Sequence, residues 1–204
     1  MPGEPKPIRA FICIQLERGL IAELTELRHR LERTLPGNSV RWNPPDQIHL
    51  TLKFLGNIPE SQAGDLAAAL RGACQGMAPF PLRAEGVGAF PNLRNPRIIW
   101  VGLPGEVERL LSLQKQIDSA AQPWNKEAED RPFRPHLTLA RIKSPHASRQ
   151  IGQALQAAQF VSQHPWRVDQ IFLMQSQLSS EGAVHSVLAS VSLLDSAHAK
   201  DHSP

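Results

Sequence analysis

The tetrapeptide His49-Leu50-Thr51-Leu52 recurs as His136-Leu137-Thr138-Leu139, 87 residues further along the chain. The sequence of 204 residues holds only 4 threonines and 8 histidines, so chance is a poor explanation for the repetition. Side chains of a β-strand alternate between its two faces. In each copy the His and the Thr therefore share one face, and the leucines share the other. We predict two matched strands that bury leucines and present a His and a Thr to a common cleft.

The same alternation extends beyond the first copy. Lys53 follows Thr51 by two positions and is predicted on the same face, whereas Phe54 is predicted on the face of the leucines. Pro135 precedes His136 directly, which fits the first position of a strand because proline cannot donate a ladder hydrogen bond.

Strands and amphipathic helices alternate along the rest of the chain. Leu20, Leu24, Leu27 and Leu31 follow the three-to-four residue spacing of one helix face. Periodicity and turn residues predict helices at 19–35, 61–75, 105–121 and 148–159. They predict strands at 8–16, 48–55, 81–90, 97–103, 131–142, 166–175 and 185–194.

The order of these elements repeats in the second part of the chain. Arg83 lies 34 residues after His49, and Arg167 lies 31 residues after His136, in similar strand-like contexts. We predict an α+β fold that is a bilobal pseudo-twofold duplication, with two antiparallel sheets lining a central cleft and helices on the outer faces. We expect one domain at 8–195 between disordered tails at 1–7 and 196–204.

Composition narrows the class of protein. The formal charge of +3 suits a phosphate-bearing partner without requiring one. The proline-rich segment 1–7 lacks an apolar core, and no stretch has the length of a membrane span, so we expect a cytoplasmic protein without a membrane segment. Cys13 and Cys74 lie in apolar contexts and are expected to be buried thiols. We expect a monomer without an obligate protein partner.

Two histidines that meet in one cleft can act as an acid–base pair. The ordinary imidazole pKa lies near ~6.5, so neutral and charged forms are both available at neutral pH. Threonine hydroxyls can hold phosphate oxygens, and a phosphodiester suits this set of groups. A single His in a strand is more often a packing residue, but two copies in matched places favour function. A metal site is disfavoured because neither motif has another ligand at the usual spacing, so we expect no metal and no cofactor.

At the level of whole segments the chain resembles the two-histidine phosphoesterases. Within them it is similar to the RNA 2′,3′-cyclic phosphodiesterases, also called 2′-5′ RNA ligases. The segments that carry the resemblance are 8–12 (IRAFI), 42–56 (WNPPDQIHLTLKFLG), 86–91 (GVGAFP), 97–101 (RIIWV), 131–141 (RPFRPHLTLAR) and 178–179 (LS). The resemblance implies hydrolysis of a ribose 2′,3′-cyclic phosphate at an RNA or oligonucleotide end to a 2′-phosphate. It also implies a reverse joining reaction through a 2′-5′ bond without ATP.

The resemblance also implies roles for the motif residues. His49 would be the proton donor to the leaving O3′, and His136 the proton acceptor that activates water. Thr51 and Thr138 would bind the phosphate. His185 stands where relatives often have an aromatic residue.

Further residues are weaker candidates for contacts with RNA. Lys53, Arg131 and Arg134 could bind phosphate, with a solvated rim charge as the alternative for Lys53. Phe133 could stack on a base, with core packing as its alternative. Trp100 alternates within an apolar strand and is expected in the core. Two other functions remain open: a non-catalytic module that binds RNA or nucleotides, and a phosphodiesterase for a small cyclic nucleotide.

Overall fold

The computed structural model describes residues 6–104, 107–125, 132–179 and 182–193. Its helices are α1 (Arg18–Thr34), α2 (Ala63–Cys74), α3 (Val107–Ala120) and α4 (Ser148–Ala157). Its strands are β1 (Pro7–Gln15), β2 (Val40–Trp42), β3 (His49–Pro59), β4 (Phe80–Leu82), β5 (Glu85–Phe90), β6 (Ile98–Gly102), β7 (His136–Ile142), β8 (Trp166–Val168), β9 (Gln170–Ser179) and β10 (Gly182–Ser192). All four predicted helices are present, and the predicted α+β class with antiparallel sheets is confirmed.

The main sheet is antiparallel and has the order β10-β9-β1-β3-β7-β6-β5, with β2 pairing with β7. This order is nearly symmetric about its centre, where β3 and β7 meet through the pair Leu50 and Leu137. The strands β4 and β8 form a separate two-stranded sheet. Arg167 lies in β8, and Arg83 directly follows β4. The two segments that have equivalent places in the predicted duplication therefore lie side by side.

The two lobes are not consecutive halves of the chain. In the first lobe, α2 and α3 pack on each other, α3 contacts β3, α2 contacts β10, and β1 pairs with both β3 and β9. In the second lobe, α1 contacts α4, α4 contacts β5, and β6 pairs with β5 and β7. Each lobe therefore combines segments from the early and the late parts of the sequence.

The helices cover one face of the main sheet, and the hydrophobic core lies between the helices and that face. Leu20, Leu24, Leu27 and Leu31 of α1 are buried, as their spacing predicts. Each such leucine stabilises the fold by roughly 1.5–3 kcal/mol through burial. Strand β1 contributes Ile12 and Ile14 to this core, whereas Phe11 and Cys13 belong to a separate cluster on the opposite face. That opposite face carries the candidate site, and we call it the cleft face.

Several boundaries differ from the predicted ones. The predicted segments 81–90 and 166–175 each divide into two strands, because β4 and β8 leave the main sheet to pair with each other. The strand β2 was not predicted, since three residues show no usable periodicity. Strand β1 begins at Pro7, inside the predicted N-terminal tail. Residues 1–5 of that tail and the C-terminal tail at 196–204 lie outside the described residues.

Candidate active site

Both tetrapeptides begin a strand at the centre of the sheet. His49 is the first residue of β3, and His136 is the first residue of β7. Leu50 and Leu137 pair directly, and their exposed fractions are 1% and 0%. Because the leucines point into the core, the His and Thr of both motifs point to the cleft face. The alternation predicted for the two tetrapeptides matches this arrangement.

The register brings the four polar side chains together. Extending the antiparallel pair of Leu50 and Leu137 by one residue places His49 opposite Thr138 and Thr51 opposite His136. Directly opposite Cβ atoms lie about 4.5–5.5 Å apart, and diagonal neighbours such as the two histidines about 7–8 Å apart. Two imidazoles and two hydroxyls at these spacings can surround one tetrahedral phosphate.

Each imidazole is oriented by a backbone carbonyl two residues earlier. The distance from His49 Nδ1 to the Gln47 oxygen is 2.8 Å, and from His136 Nδ1 to the Arg134 oxygen it is 2.7 Å. A carbonyl oxygen can only accept, so Nδ1 carries the hydrogen and donates in both residues. In each ring Nε2 is therefore the atom that accepts or gives a proton during a reaction.

A β-bulge at the last residue of the first motif reverses the alternation. Thr51 pairs with Cys13 but Lys53 pairs with Ile12, so Leu52 is an extra residue in β3. Ile12 faces the core, and Lys53 consequently points to the helix side. There Lys53 is 7% exposed, and its Nζ lies 2.5 Å from a carboxylate oxygen of Asp118 in α3. The prediction that Lys53 shares the face of Thr51 and contacts RNA phosphate is wrong for this reason.

The second motif ends in a matching bulge. Trp100 pairs with Thr138 and Ile99 with Ala140, so Leu139 is the extra residue in β7. After the bulges Phe54 and Arg141 lie on the cleft face, each five positions after the His of its motif. Phe54 is 55% exposed, so its predicted place beside the core leucines is also wrong. Arg141 was missed because a strict alternation assigns it to the core face.

An aromatic ring contacts each motif histidine. Phe11 stacks on His49 with ring centroids 4.9 Å apart, and Phe90 meets His136 edge-on at 4.9 Å. The first lobe has one further imidazole, because His185 of β10 lies 5.4 Å from His49 and 4.9 Å from Phe11. The two histidines therefore have similar aromatic contacts, but the neighbourhood of His49 also contains a second titratable imidazole.

The protonation of His49 reflects these surroundings. Burial lowers the pKa of His49 from 6.5 to about 4, against the raising effect of the hydrogen bond to Gln47, and the charge of His185 lowers it further. Burial also lowers the pKa of His185, which the nearby Asp46 partly offsets. In the free protein at neutral pH, His49 is thus held in its neutral form.

The other candidate residues lie around this centre. Arg134 is exposed and orients His136 through its carbonyl oxygen. Phe133 is partly buried and packs against the main core, which agrees with its alternative interpretation rather than with base stacking. Trp100 is also only partly buried and lies on the cleft face, so its predicted core position is wrong. Arg131 lies outside the described residues.

Three structural observations bear on other interpretations of the sequence. Within 6–104, 107–125, 132–179 and 182–193, no group of three His, Cys, Asp or Glu side chains could hold a metal ion. Cys13 and Cys74 are free and buried, and burial raises the pKa of their thiols to about 12 and about 11. Both are buried thiols, as predicted, and burial of this kind makes a thiol unreactive. Among the described helices, none has the length and apolar character needed to cross a membrane.

Comparison with known proteins agrees with this geometry. The family model described as LigT-like phosphoesterase matches twice, at residues 14–100 and 101–185. A Thermus thermophilus protein named RNA 2′,3′-cyclic phosphodiesterase is 32% identical over 91% of this chain and 90% of its own length. A protein of the same name from Methanothermobacter thermautotrophicus is 28% identical, with coverage of 88% and 95%. A crystal structure of a protein from Thermus thermophilus superposes with a TM-score of 0.76 at 31% identity, covering 91% of this chain and 98% of that one. With a family model that matches both of its motif-bearing segments, the chain belongs to the LigT-like phosphoesterase family.

Proposed function

We propose that this protein hydrolyses the 2′,3′-cyclic phosphate at an RNA or oligonucleotide end to a 2′-phosphate. The observation that carries the proposal is the convergence of His49, Thr51, His136 and Thr138 on one face across the Leu50–Leu137 pair. The names of the relatives at 28% and 32% identity support this substrate class. Imidazoles supply both the acid and the base, so the proposed reaction needs no metal ion. The cytoplasmic location and the monomeric state remain predictions from the sequence.

In the proposed reaction His136 Nε2 takes a proton from water as the water oxygen bonds to phosphorus. The bond from phosphorus to O3′ breaks, and His49 gives its Nε2 proton to the departing O3′. Thr51 and Thr138 hold the non-bridging oxygens, and Arg141 is placed to offset their negative charge. The bound phosphodiester anion favours a charged imidazole, so it opposes the burial that lowers the pKa of His49 in the free protein.

The central test removes each imidazole separately. In buffer containing EDTA, His49→Gln and His136→Gln should each lower kcat/KM for a dinucleotide 2′,3′-cyclic phosphate by about 10²–10⁴-fold. His146 is exposed and lies just before α4, so His146→Gln is a matched control that should keep full activity. Full activity in both motif variants, with folding verified by circular dichroism, excludes the proposal. No turnover by the unmodified protein would favour the binding module instead.

The same two variants also test which histidine gives the proton and which one takes it. If sulfur replaces the bridging O3′, the leaving thiolate needs little protonation. On that substrate the His49→Gln variant should regain most of its lost rate, whereas His136→Gln should not. Rescue of His136→Gln alone would exchange the two roles.

Rates on mononucleotide and dinucleotide cyclic phosphates, compared side by side, distinguish RNA ends from small cyclic nucleotides.

A further inference from the structure

The first lobe brings a second imidazole close to His49. His185 lies in β10, which is three strands away from β3 in the main sheet. Three steps between neighbouring strands amount to about 14 Å across a flat sheet. The ring centroids of His185 and His49 are nevertheless 5.4 Å apart. The sheet of the first lobe therefore curves until its edge strand places His185 beside His49.

This additional strand makes the two lobes unequal. Counted outward from the central pair of β3 and β7, β1 has the place of β6, and β9 has the place of β5. None of the strands in the described ranges has the place of β10 in the second lobe. His136 accordingly meets Phe90, whereas His49 meets both Phe11 and His185. The additional strand thus distinguishes the proton donor of the proposed reaction from the proton acceptor.

The rings of Phe11, His49 and His185 form one packed cluster. Phe11 stacks on His49 at 4.9 Å, and His185 meets both of these rings edge-on. His49 uses its Nδ1 for the hydrogen bond to the Gln47 oxygen. Within the part of the chain that the structure describes, no group forms a hydrogen bond with either ring nitrogen of His185. Burial and nearby charges therefore govern the protonation of His185.

Charged and titratable groups face the two imidazoles from several elements. Among the described residues outside β3 and β10 they include Asp46 in the turn before β3, Arg9 and Cys13 in β1, and His136 and Arg141 in β7. Strand β9 contains no charged residue, and α2 contacts β10 from the opposite face. Asp46 favours the charged form of His185, which is also the less buried of the two imidazoles. The first proton that the pair takes up therefore goes to His185.

Two charged imidazoles at this spacing oppose each other. At an effective dielectric constant of about 20, unit charges 5.4 Å apart shift the titration of one group by about two pH units. A proton on His185 therefore makes the uptake of a proton by His49 less favourable. In the proposed reaction His49 must carry a proton before O3′ can leave. His185 thus acts on the reaction through His49.

We propose that His185 is a positioning residue that sets the upper pH limit of the hydrolysis by opposing the protonation of His49. This inference rests on the proposed function and on its assignment of His49 as the acid. As the pH rises past this limit, His49 loses its proton and the rate falls. Without the charge of His185, His49 keeps its proton to a higher pH, so hydrolysis continues under more alkaline conditions.

The test compares pH profiles of the single-turnover rate for a dinucleotide 2′,3′-cyclic phosphate at saturating protein. The limb of the profile that falls with rising pH reports the acid of the complex with substrate. His185→Phe, which keeps an aromatic ring, and His185→Gln should each move this limb upward by about one to two pH units. Above the limb of the unmodified protein, both variants should be about tenfold or more faster, because each unit changes the protonated fraction tenfold.

Further comparisons separate the charge of His185 from its packing. His185→Lys keeps a positive charge, so its falling limb should stay at that of the unmodified protein or move downward. His146→Gln is the matched control, because His146 is exposed just before α4, and it should leave the profile unchanged. A substrate with sulfur in place of the bridging O3′ needs little protonation. On that substrate the falling limb should be absent, and His185→Phe should react as fast as the unmodified protein.

Each contrary outcome has a separate meaning, once circular dichroism has verified that the variants are folded. Absence of hydrolysis by the unmodified protein overturns the proposed function itself, and a falling limb that persists on the sulfur substrate overturns its assignment of His49. An unchanged limb in both His185→Phe and His185→Gln overturns this inference alone. An upward shift in His185→Lys as large as in His185→Phe also overturns it, because packing rather than charge would then be the cause.

Discussion

At the scale of single residues, the two motif histidines have the same neighbours in sequence but different surroundings. Both donate Nδ1–H to the carbonyl oxygen two residues earlier. His49 also lies beside another imidazole, that of His185. Burial lowers the pKa of His49 to about 4.

The lowered pKa of His49 predicts a dependence of stability on pH. The unfolded chain binds a proton near pH 6.5, whereas folded His49 binds it near pH 4. Stability is therefore fully present above pH 6.5 and is lost as the pH falls towards 4, by at most about 3 kcal/mol from this residue. Urea unfolding at about pH 7.5, 6, 5 and 4.5 should show this loss, and His185 should add to it in the same direction.

The variant His49→Gln should reduce the slope of unfolding free energy against pH in this range. His29 is exposed on α1, and His29→Gln serves as the control that keeps the slope. An unchanged slope in His49→Gln would show that other groups cause the acid sensitivity.

At the scale of elements, two β-bulges decide which side chains lie on the cleft face. Each bulge adds one residue at the end of a motif, at Leu52 and at Leu139. From that point the two faces exchange, in β3 as far as a second bulge at Leu55. Lys53 turns to the helix layer and binds Asp118, and the cleft face receives Phe54 and Arg141. Bulges beside active sites often redirect a side chain in this way.

Paired substitutions test this assignment of faces. Arg141→Met should lower kcat/KM for a cyclic phosphate about tenfold or more, because a charge-assisted hydrogen bond is worth about 1.5–3 kcal/mol. Lys53→Met should change kcat/KM less than about twofold, since the ion pair with Asp118 is remote from the cleft face and Asp118 stays solvated. Steady-state kinetics of both variants checks the prediction. A larger loss in Lys53→Met than in Arg141→Met would contradict it.

At the scale of the whole molecule, the candidate site lies where two lobes meet, and each lobe is built from segments that are distant in the sequence. The late strands β9 and β10 complete the first lobe beside β1, and the early strands β5 and β6 complete the second beside β7. The two motifs meet at the pair Leu50 and Leu137. Because neither lobe is a continuous stretch of chain, we expect both to fold and unfold together.

Truncation of a central leucine tests this coupling. Leu50→Ala or Leu137→Ala should each lower the free energy of unfolding by about 2–5 kcal/mol, because each residue is almost fully buried. Urea unfolding followed by circular dichroism and by tryptophan fluorescence should still give one coincident transition. Leu111 is 41% exposed on α3, and Leu111→Ala should change stability much less. Two separate transitions in either core variant would show that the lobes unfold independently.

Local patterns in the sequence determined most of the elements and the shared face of the motif side chains. The leucine spacing of α1 and the doubled His-Leu-Thr-Leu depend only on neighbours along the chain, so periodicity alone assigns their faces. The matched strands around Arg83 and Arg167 indicated a duplication in the same way. These features gave the helix positions, the antiparallel α+β class and the strand face on which the motif histidines and threonines lie.

Only the tertiary structure decided what depends on partners distant in sequence. A bulge exists relative to the neighbouring strand, so Lys53, Phe54 and Arg141 could not be assigned by counting residues from a motif. The interleaving of the lobes arises from pairing between β1 and β9, whose residues are more than 150 positions apart. The pKa of His49 depends on burial and on a histidine from β10, which is why two identical tetrapeptides hold imidazoles in different environments.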